Sequence, residues 1–471
     1  MQQRNGAQLW GKQGVRGALI AGMAAVACCL PATASAAPAS PALAGAVSPV
    51  PANGTPTLVD TGTTEQIRQL VDCGGIMYAV GTFTEIKWNG TIYDRNNAFA
   101  FTDAAPFTMQ AWNPGVNGTV DTIAFNGSDC STAYLGGHFS SVGGAAAKNI
   151  AAVDTTSGAL VPGFKDNASG EVETLAVANG HLLAGGAFKG INGSTADPYF
   201  ASLSPATGKD DGFAHLGISG HYSFPGVDSN PTKVYNQQIS HSGTLDLVEG
   251  DFTSVGGQGR QQIFMLDLSG PAAQVTGWSS PEFDGSQGNL PHGYAYQCWH
   301  TESFYVRAAA WSADDSTVYL ADTGFQPWNW SSGSPRIGLC DSVSAFPATQ
   351  AEVTHEWINY TGCDSLYSVT ADSSAVYAGG HERWADNQNG CNHPGTGAIP
   401  APGLGAFNPS NGALITNASG TAGLLSRSRG RGADDLLVTS TGLWVASDNF
   451  GGNTSCGGSP GHAGICFLPY S

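Results

Sequence analysis

The fold is decided by a short motif that recurs along the chain, as MYAVGTF at 77–83, AYLGGHF at 133–139, LLAGGAF at 182–188 and DLVEGDF at 246–252. Each copy joins an apolar strand to a glycine-containing stretch and a Phe. Three degenerate copies follow, VYLADTGF from Val318, VYAGGHERW from Val376 and LWVASDNF from Leu443. The second residues of successive copies lie 56, 49, 64, 72, 58 and 67 positions apart. A repeat of this length indicates one fold built from seven similar units.

Each unit carries further strands in a fixed order around the motif. An alternating apolar strand precedes the motif, such as TVDTIAF from Thr119, and a third strand with a turn follows it, such as NIAAVDTTSGA from Asn149. Short strands separated by Asn-Gly, Ser-Gly and Thr-Gly turns are typical of antiparallel sheets. The sequence therefore predicts an all-β protein, a seven-bladed β-propeller of four-stranded antiparallel sheets. In five units the predicted fourth strand ends in an aromatic residue: Trp112, Phe164, Phe213, Trp278 and Trp357.

The two ends of the chain predict how the ring closes. The seventh unit ends at GICFLPYS, residues 464–471, which supplies a third strand and no fourth. The stretch TPTLVDT, Thr55–Thr61, is a spare strand available to complete the last sheet. Residues 37–54, rich in Ala, Pro and Ser, are expected to form a flexible lead-in. The predicted organisation is a signal peptide at 1–36, this lead-in, and a single propeller domain at 55–471.

The first 36 residues have the pattern of a secretory signal peptide. Basic residues precede an apolar run at 18–30, and Ala34-Ser35-Ala36 matches a small-residue cleavage site. The alternative is a lipid anchor at Cys28, although Ala25 stands where such anchors usually have Leu. No later stretch is apolar enough to predict a membrane span. The mature protein is therefore expected to be secreted and extracellular.

Composition narrows the class of protein. Of 471 residues, 65 are Gly and 41% are hydrophobic, which excludes a disordered chain, and the absence of a strict Gly triplet excludes collagen. The formal net charge is −18. Nucleic acids and anionic membranes are excluded as partners, because both would be repelled by this charge.

Cysteine usage fits an oxidising compartment. Two of the ten cysteines lie in the leader, which leaves an even number in the mature chain. The C-x-x-C spacing of zinc sites is absent. Cys73 and Cys130 precede equivalent motif residues, and Cys456 and Cys466 would close a short loop, so these two pairs are predicted disulfides. The sequence leaves open the pairing of the other four: Cys298, Cys340, Cys363 and Cys391.

The motifs resemble those of a known group of proteins. The repeated Y-x-G-G-x-F, the D-x-x-T/S-G-A turn and the terminal W-N-P resemble the kelch-like or quinoprotein-like repeats of a family of secreted bacterial β-propellers, many of them actinobacterial. The resemblance covers nearly all of residues 63–471 and weakens where Ala321-Asp322-Thr323 and Ala446-Ser447-Asp448 replace the glycines. It implies the propeller fold and no particular activity, because propellers host many unrelated functions.

The first candidate site is a ring of side chains at the central channel. The first strand of each unit is expected to be innermost, so aligned residues on these strands circle the axis. The residues that follow Ile67 and its counterparts are polar in all seven units: Arg68, Asp121, Glu173, Tyr235, Arg307, Tyr367 and Asp434. They predict a site for a polar ligand or a cation. The alternative is that neighbouring blades satisfy these groups as ion pairs and hydrogen bonds.

The second candidate site is formed by insertions in units four to six, at 281–302, 326–335 and 384–402. Exposed aromatic side chains on loops over a rigid scaffold can stack against sugar rings or peptide side chains. The residues concerned are Trp299, His300, Trp328, Trp330 and Trp384. They predict a polysaccharide or an extracellular or cell-surface protein as partner. The alternative is that these loops pack their own aromatic side chains.

The sequence lacks two common patterns of metal-dependent sites. No H-E-x-x-H or EF-hand pattern occurs. The glycine pairs lack the helix that a phosphate-binding loop requires, so we interpret them as bulges or close-packed turns. The prediction is a secreted, non-catalytic recognition protein with no cofactor and no assigned metal site. The alternative is an extracellular hydrolase or oxidoreductase with its site at the channel.

Overall fold

The computed structural model describes residues 46–221, 231–283, 298, 304–325, 338–425, 432–449 and 462–470. Regular structure in these residues is β-strand, apart from a 3₁₀ helix at Pro281–Phe283. Seven sheets carry the repeat, one per unit, and are numbered 1 to 7 along the chain. Sheet 1 consists of Gln66–Cys73, Ile76–Thr82 and Ala98–Thr102. Sheet 2 consists of Thr119–Asn126, Asp129–His138 and Ile150–Asp154. Sheet 3 consists of Val172–Ala178, His181–Gly186 and Phe200–Leu203. Sheet 4 consists of Lys233–Ile239, Leu245–Asp251, Ile263–Asp267 and Gln274–Val275. Sheet 5 consists of Val306–Trp311, Thr317–Asp322, Ser342–Pro347 and Trp357–Tyr360. Sheet 6 consists of Leu366–Ala371, Val376–Gly380 and Gly405–Phe407, and sheet 7 of Ala433–Thr439, Gly442–Ser447 and Ile465–Pro469.

Short strands also form between the second and third strands of several sheets, and one, Thr57–Leu58, precedes sheet 1. The described ones are antiparallel hairpins or a small three-stranded sheet, and they lie outside the seven main sheets. They are Thr57–Leu58 with Glu85–Trp88 and Thr91–Asp94; Ser141–Val142 with Ala145–Ala146; Ser254–Val255 with Gln258–Gly259; and Trp384–Ala385 with Ile399–Pro400.

The predicted fourth strand is present only in sheets 4 and 5 within the described residues. In four other sheets the corresponding segment pairs through a single bridge: Phe101 with Met109, Val153 with Leu160, Leu203 with Asp210, and Phe407 with Leu414. An aromatic side chain anchors this segment to the next sheet, both where the fourth strand is absent, as at Trp112, and where it is short, as at Trp278. The indole Nε1 of Trp112 donates to Asp154 O of sheet 2 at 3.3 Å, and that of Trp278 donates to Pro347 O of sheet 5 at 3.0 Å. This anchoring holds the outer segment without a long hydrogen-bonded ladder.

The first strands of the seven sheets follow one another in ring order. Each contacts the first strand of the next sheet, and the first strand of sheet 7 contacts that of sheet 1. Side chains bridge these strands: Gln69 Oε1 accepts from Ile123 N at 2.7 Å, and Asp435 Oδ2 accepts from Leu70 N at 2.9 Å. Radially arranged antiparallel sheets with their first strands innermost form a β-propeller. The prediction of an all-β propeller is confirmed.

The glycine pairs allow neighbouring sheets to approach closely. A Cβ atom at Gly185 would lie 2.5 Å from Cγ1 of Val234, in the first strand of sheet 4. A Cβ atom at Gly136 would lie 2.8 Å from Cγ1 of Val172, the equivalent residue of sheet 3. Both distances are too short for a side chain, so the glycines leave room for the Val of the next sheet.

The N-terminal segment contacts the last strand through more residues than the sequence indicated. In the predicted closing strand Thr55–Thr61, the Thr55 hydroxyl donates to Ile465 O at 3.3 Å and Leu58 N donates to Ala463 O at 3.0 Å, while Thr57–Leu58 also pairs with Glu85–Trp88. Residues 47–52, predicted as part of the flexible lead-in, lie along Ile465–Pro469 as well. Val47 bridges Tyr470, Ser48 N donates to Pro469 O and Ala52 N donates to Phe467 O, both at 2.8 Å. Val47 is buried, so apolar contact as well as hydrogen bonding selects this segment.

Disulfides join distant parts of the chain. Cys73 and Cys130, a predicted pair, are bonded and connect sheet 1 to sheet 2. The structure also resolves two pairings that the sequence left open, Cys298 with Cys340 and Cys363 with Cys391. Cys466 is disulfide-bonded, and its predicted partner Cys456 lies outside the described residues. Among the described residues, no helix is long and apolar enough to span a membrane.

Candidate functional site

Each of the seven ring residues occupies a β-bulge. In sheet 1 the pairing of the first two strands shifts register between Ile67 and Gln69, so that Arg68 is the extra residue. A bulge redirects the side chain of the extra residue away from the regular alternation of the strand. All seven side chains line one cavity of about 540 Å³. The other six bulges are at Asp121, Glu173, Tyr235, Arg307, Tyr367 and Asp434.

The ring lies between two cavities. The first continues along the innermost strands past the ring, beside small or neutral residues that include Thr122, Ala308 and Ser368. A second cavity of about 510 Å³ lies on the other side, where Gln66 and Lys233 begin their strands. Six ring side chains line both cavities, all except Asp121. A ligand in either cavity would therefore meet the ring.

The acidic part of the ring is only partly neutralised. Asp121 pairs with Arg68 at 3.4 Å, and Glu173 pairs with Lys233 at 3.0 Å. Oδ2 of Asp121 and Oε1 of Glu173 are buried and have no hydrogen-bond donor among the described residues. Burial, together with the nearby Glu171 and Glu173 carboxylates, raises the pKa of Asp121 to about 8 against the opposing effect of Arg68. Burial also raises the pKa of Glu173, although the Lys233 ammonium opposes this shift.

The opposite part of the ring is built from tyrosines around a guanidinium. Cζ of Arg307 lies 6.0 Å from the ring centroid of Tyr235, 5.6 Å from that of Tyr305 and 5.5 Å from that of Tyr367. The Tyr235 hydroxyl donates to Val306 O at 2.5 Å, and Tyr367 Oη lies 3.3 Å from Nδ1 of His381. Burial raises the pKa of Tyr235 well above its ordinary value, so this hydroxyl stays protonated. The side chains around Arg307 are therefore held in place.

The ring shows features of both interpretations of the sequence, a ligand site and a purely structural role. The Arg68–Asp121 pair joins neighbouring sheets, as the purely structural alternative predicts. The Asp121, Glu173 and Arg307 side chains nevertheless line one cavity, and Asp121 Oδ2 and Glu173 Oε1 are buried without a donor among the described residues. Polar side chains in such a cavity can bind the polar groups of a ligand. In the described residues, no group of three or more His, Cys, Asp or Glu side chains is arranged to hold a metal ion.

The aromatic-loop residues are mostly outside the described part of the chain. Trp299, His300, Trp328 and Trp330 all lie there. Trp384 is half-buried in the strand Trp384–Ala385, which pairs with Ile399–Pro400. The Arg383 guanidinium lies 4.4 Å from the Trp384 ring centroid and binds both carboxylate oxygens of Asp364, at 2.7 and 2.8 Å. One face of Trp384 is therefore covered by a cation fixed in position.

Three groups near the ring were not found from the sequence: Lys233 and His381, which line the second cavity, and Tyr305, which lies against Arg307. Lys233 and Tyr305 immediately precede the apolar residues Val234 and Val306 that were used to align the first strands. His381 follows the glycine pair of unit six, at the position that His138 occupies in unit two. Lys233 and Tyr305 would have been located by extending the alignment of the first strands by one residue toward the N-terminus.

Similarity to known proteins is found among solved structures. No family model and no curated protein sequence matches it. Among solved structures it is similar to the WD40 β-propeller domain of Doa1, with 11% identity, a TM-score of 0.40 and coverage of 88% of this chain and 96% of that chain. It is similar to BamB from Moraxella catarrhalis, with 13% identity, a TM-score of 0.41 and coverage of 89% and 100%. It is also similar to the extracellular domain of a putative one-component system from B. thetaiotaomicron, with 9% identity, a TM-score of 0.45 and coverage of 89% and 40%.

Proposed function

We propose that the chain is a secreted, non-catalytic recognition protein that binds a small polar ligand at the bulge ring of its channel. The observation that carries this proposal is the convergence of seven bulge side chains on two cavities, with buried carboxylate oxygens that no described group satisfies. Bulges next to a cavity are a common means of aiming side chains at a ligand. The leader at 1–36 and the disulfides support export to an oxidising compartment.

The scaffold for this site is proposed to be a closed ring of seven blades. The ring order of the first strands and the Asp435–Leu70 hydrogen bond between sheets 7 and 1 support closure. Residues 47–52 would serve as the outer strand of sheet 7, because Ser48 N and Ala52 N donate to its last strand. A closed ring fixes the seven bulge positions relative to one another, which preorganises the site.

The test is a thermal-shift screen of the protein against neutral polysaccharides, sugar acids, amino acids, dipeptides, divalent metals and redox cofactors. A ligand that binds only the folded state stabilises it, by about 2.7 kcal/mol at one hundred times its Kd. We expect the shift to be lost in Glu173→Gln and kept in Glu352→Gln, a matched change at an exposed carboxylate. A shift that survives Glu173→Gln and Arg307→Gln but is lost in Trp384→Ala would move the binding site to the aromatic loops. No dependence on any ring variant would refute a channel site.

An enzyme with its site at the channel is the second candidate. Asp121 favours it, because a carboxyl with a pKa of about 8 is protonated at neutral pH and can donate a proton to a bound molecule. The two functions differ in one measurement. After prolonged incubation, NMR of the ligand recovered from the wild type would show a product, and Asp121→Asn would abolish the product while keeping the ligand bound. Recovery of unchanged ligand supports the non-catalytic proposal.

A further inference from the structure

Arg307 is a charged group of the channel that makes no close ion pair among the described residues. The Lys and Arg ion pairs of those residues are made by Arg68, Lys233 and Arg383. The Arg307 guanidinium is held instead by the faces of Tyr235, Tyr305 and Tyr367. Such contacts restrict the guanidinium without using its N–H groups. Its donors therefore remain available in the cavity, and a planar carboxylate is the group that they match best.

Asp121 and Glu173 need hydrogen-bond donors, whereas Arg307 needs an acceptor. Their side chains are 9% and 14% exposed, and each has one oxygen engaged by a cation, Arg68 or Lys233. The second oxygen of each is buried and has no donor among the described residues, in a side chain that lines the same channel. A buried acceptor without a donor costs free energy that an ammonium or hydroxyl group of a ligand can recover.

The two sets of groups come from different sheets. Arg307 belongs to sheet 5, whereas Asp121 and Glu173 belong to sheets 2 and 3, and the Glu173 carboxylate is near enough to Arg307 for their charges to interact. We infer that the channel binds a small zwitterion, an amino acid or short peptide whose carboxylate pairs with Arg307 and whose ammonium group pairs with Asp121 Oδ2 and Glu173 Oε1. This inference rests on the proposed binding function and names its ligand class.

Ions of a single sign fit the channel less well. A simple anion at Arg307 would share the cavity with the acidic side chains Glu173 and Asp434, and a simple cation at these acids would share it with Arg307 and Lys233. A zwitterion satisfies both sides and avoids both repulsions. Several side chains beyond the ring, such as Thr122 and Ala308, are neutral and small, although Asp435 and His241 also line the cavity there.

The experiment is isothermal titration calorimetry of the full-length protein with four probes: the dipeptide alanyl-alanine, acetate, methylammonium and glucose. We expect alanyl-alanine to bind at least about 10-fold more tightly than the other three. We expect Arg307→Gln and Glu173→Gln each to weaken its binding at least about 10-fold, which corresponds to about 1.4 kcal/mol. The matched controls Lys148→Gln and Glu352→Gln, at exposed side chains, should leave it unchanged. Arg307→Lys keeps the charge but not the planar fork, and should also weaken binding.

The remaining outcomes separate this inference from the proposed function. Glucose that binds in a manner dependent on Glu173 and Arg307, while alanyl-alanine does not bind, would leave a channel-binding protein and overturn the zwitterion. Acetate that binds as tightly as alanyl-alanine would overturn it as well, because the acidic side would then contribute nothing. Binding of no probe, together with no effect of ring variants on any ligand in the wider screen, would refute both. Melting curves of each variant identify a loss of binding that comes from unfolding.

Discussion

Replacing Gly185 with Ala should destabilise the protein by crowding the interface between sheets 3 and 4. The added Cβ would lie 2.5 Å from Cγ1 of Val234 and 2.7 Å from Cγ2 of Thr174. Gly185 lies in a strand whose backbone Ala can adopt, so the cost is steric. Overpacking of this kind costs about 1–3 kcal/mol. We expect the free energy of unfolding of Gly185→Ala to fall by about that amount.

Two further variants make the reasoning specific. Gly259 also lies in a strand, but no atom lies within 4 Å of the Cβ it would gain, so Gly259→Ala should be neutral or stabilising by about 0.4–1 kcal/mol. Val234→Ala removes the methyl groups that Gly185→Ala meets. The double variant Gly185→Ala/Val234→Ala should therefore be more stable than the sum of the single effects predicts, by about 1 kcal/mol.

The assay is urea-induced unfolding followed by tryptophan fluorescence, with the disulfides intact. Gly185→Ala should lower the midpoint without changing the slope, since the change affects packing and not the surface exposed on unfolding. Equal stability of Gly185→Ala and Gly259→Ala would refute the close approach of the two sheets. Simple additivity of Gly185→Ala and Val234→Ala would show that these residues do not meet.

Three other changes test the closure, the charges and the anchors of the structure. A chain that begins at residue 53 loses the buried Val47 and the hydrogen bonds of residues 48 and 52. Its free energy of unfolding, measured in urea, should fall by about 3–5 kcal/mol. An unchanged midpoint of urea unfolding would contradict the packing of this segment. Because the pKa of Asp121 is raised to about 8, its protonated form stabilises the fold, and this stabilisation decreases as the pH rises from about 4 to 8. Between pH 5 and 7, urea unfolding of the wild type should lose up to about 1.4 kcal/mol per pH unit relative to Asp121→Asn, and parallel pH profiles would argue against the shift. Trp278→Phe removes the donor to Pro347 O and should cost about 1–3 kcal/mol, whereas Trp384→Phe, whose indole makes no described hydrogen bond, should cost less; equal losses would count against the anchor.

The sequence predicted the features that repeat in every unit. The recurring motif located the second strand of each sheet, and the alternating stretches before it located the first. Aligning those first strands was sufficient to select seven residues that line one cavity, from Arg68 to Asp434. Their binding of a ligand remains a prediction. The bulges themselves were not predicted, because a bulge depends on the register between two strands and not on either strand alone.

Features that depend on distant partners could not be predicted. Residues 47–52 have a composition typical of a flexible segment, and their pairing with Ile465–Pro469 spans the whole domain. Asn149 looks like an ordinary turn residue in the sequence. In the structure it has a φ of 64°, accepts from Phe139 N and donates to Ala168 O and Gly170 O in the direction of sheet 3. The same φ recurs at Asn97 and Gln262, which also donate to a backbone oxygen ahead of the next sheet.

The contrast between repeated and variable positions points to the channel. Gly136 and Gly185 are required because the next sheet approaches them, and Trp112 and Trp278 because each anchors an outer segment. Close approach and anchoring require the same residue type in different sheets, so that residue type recurs. The bulge position instead carries Arg, Asp, Glu, Tyr, Arg, Tyr and Asp in turn, although its backbone geometry is the same in all seven sheets. A position with constant geometry and varied chemistry is not specified by packing, and the asymmetric set of charges there is what a single asymmetric ligand would require.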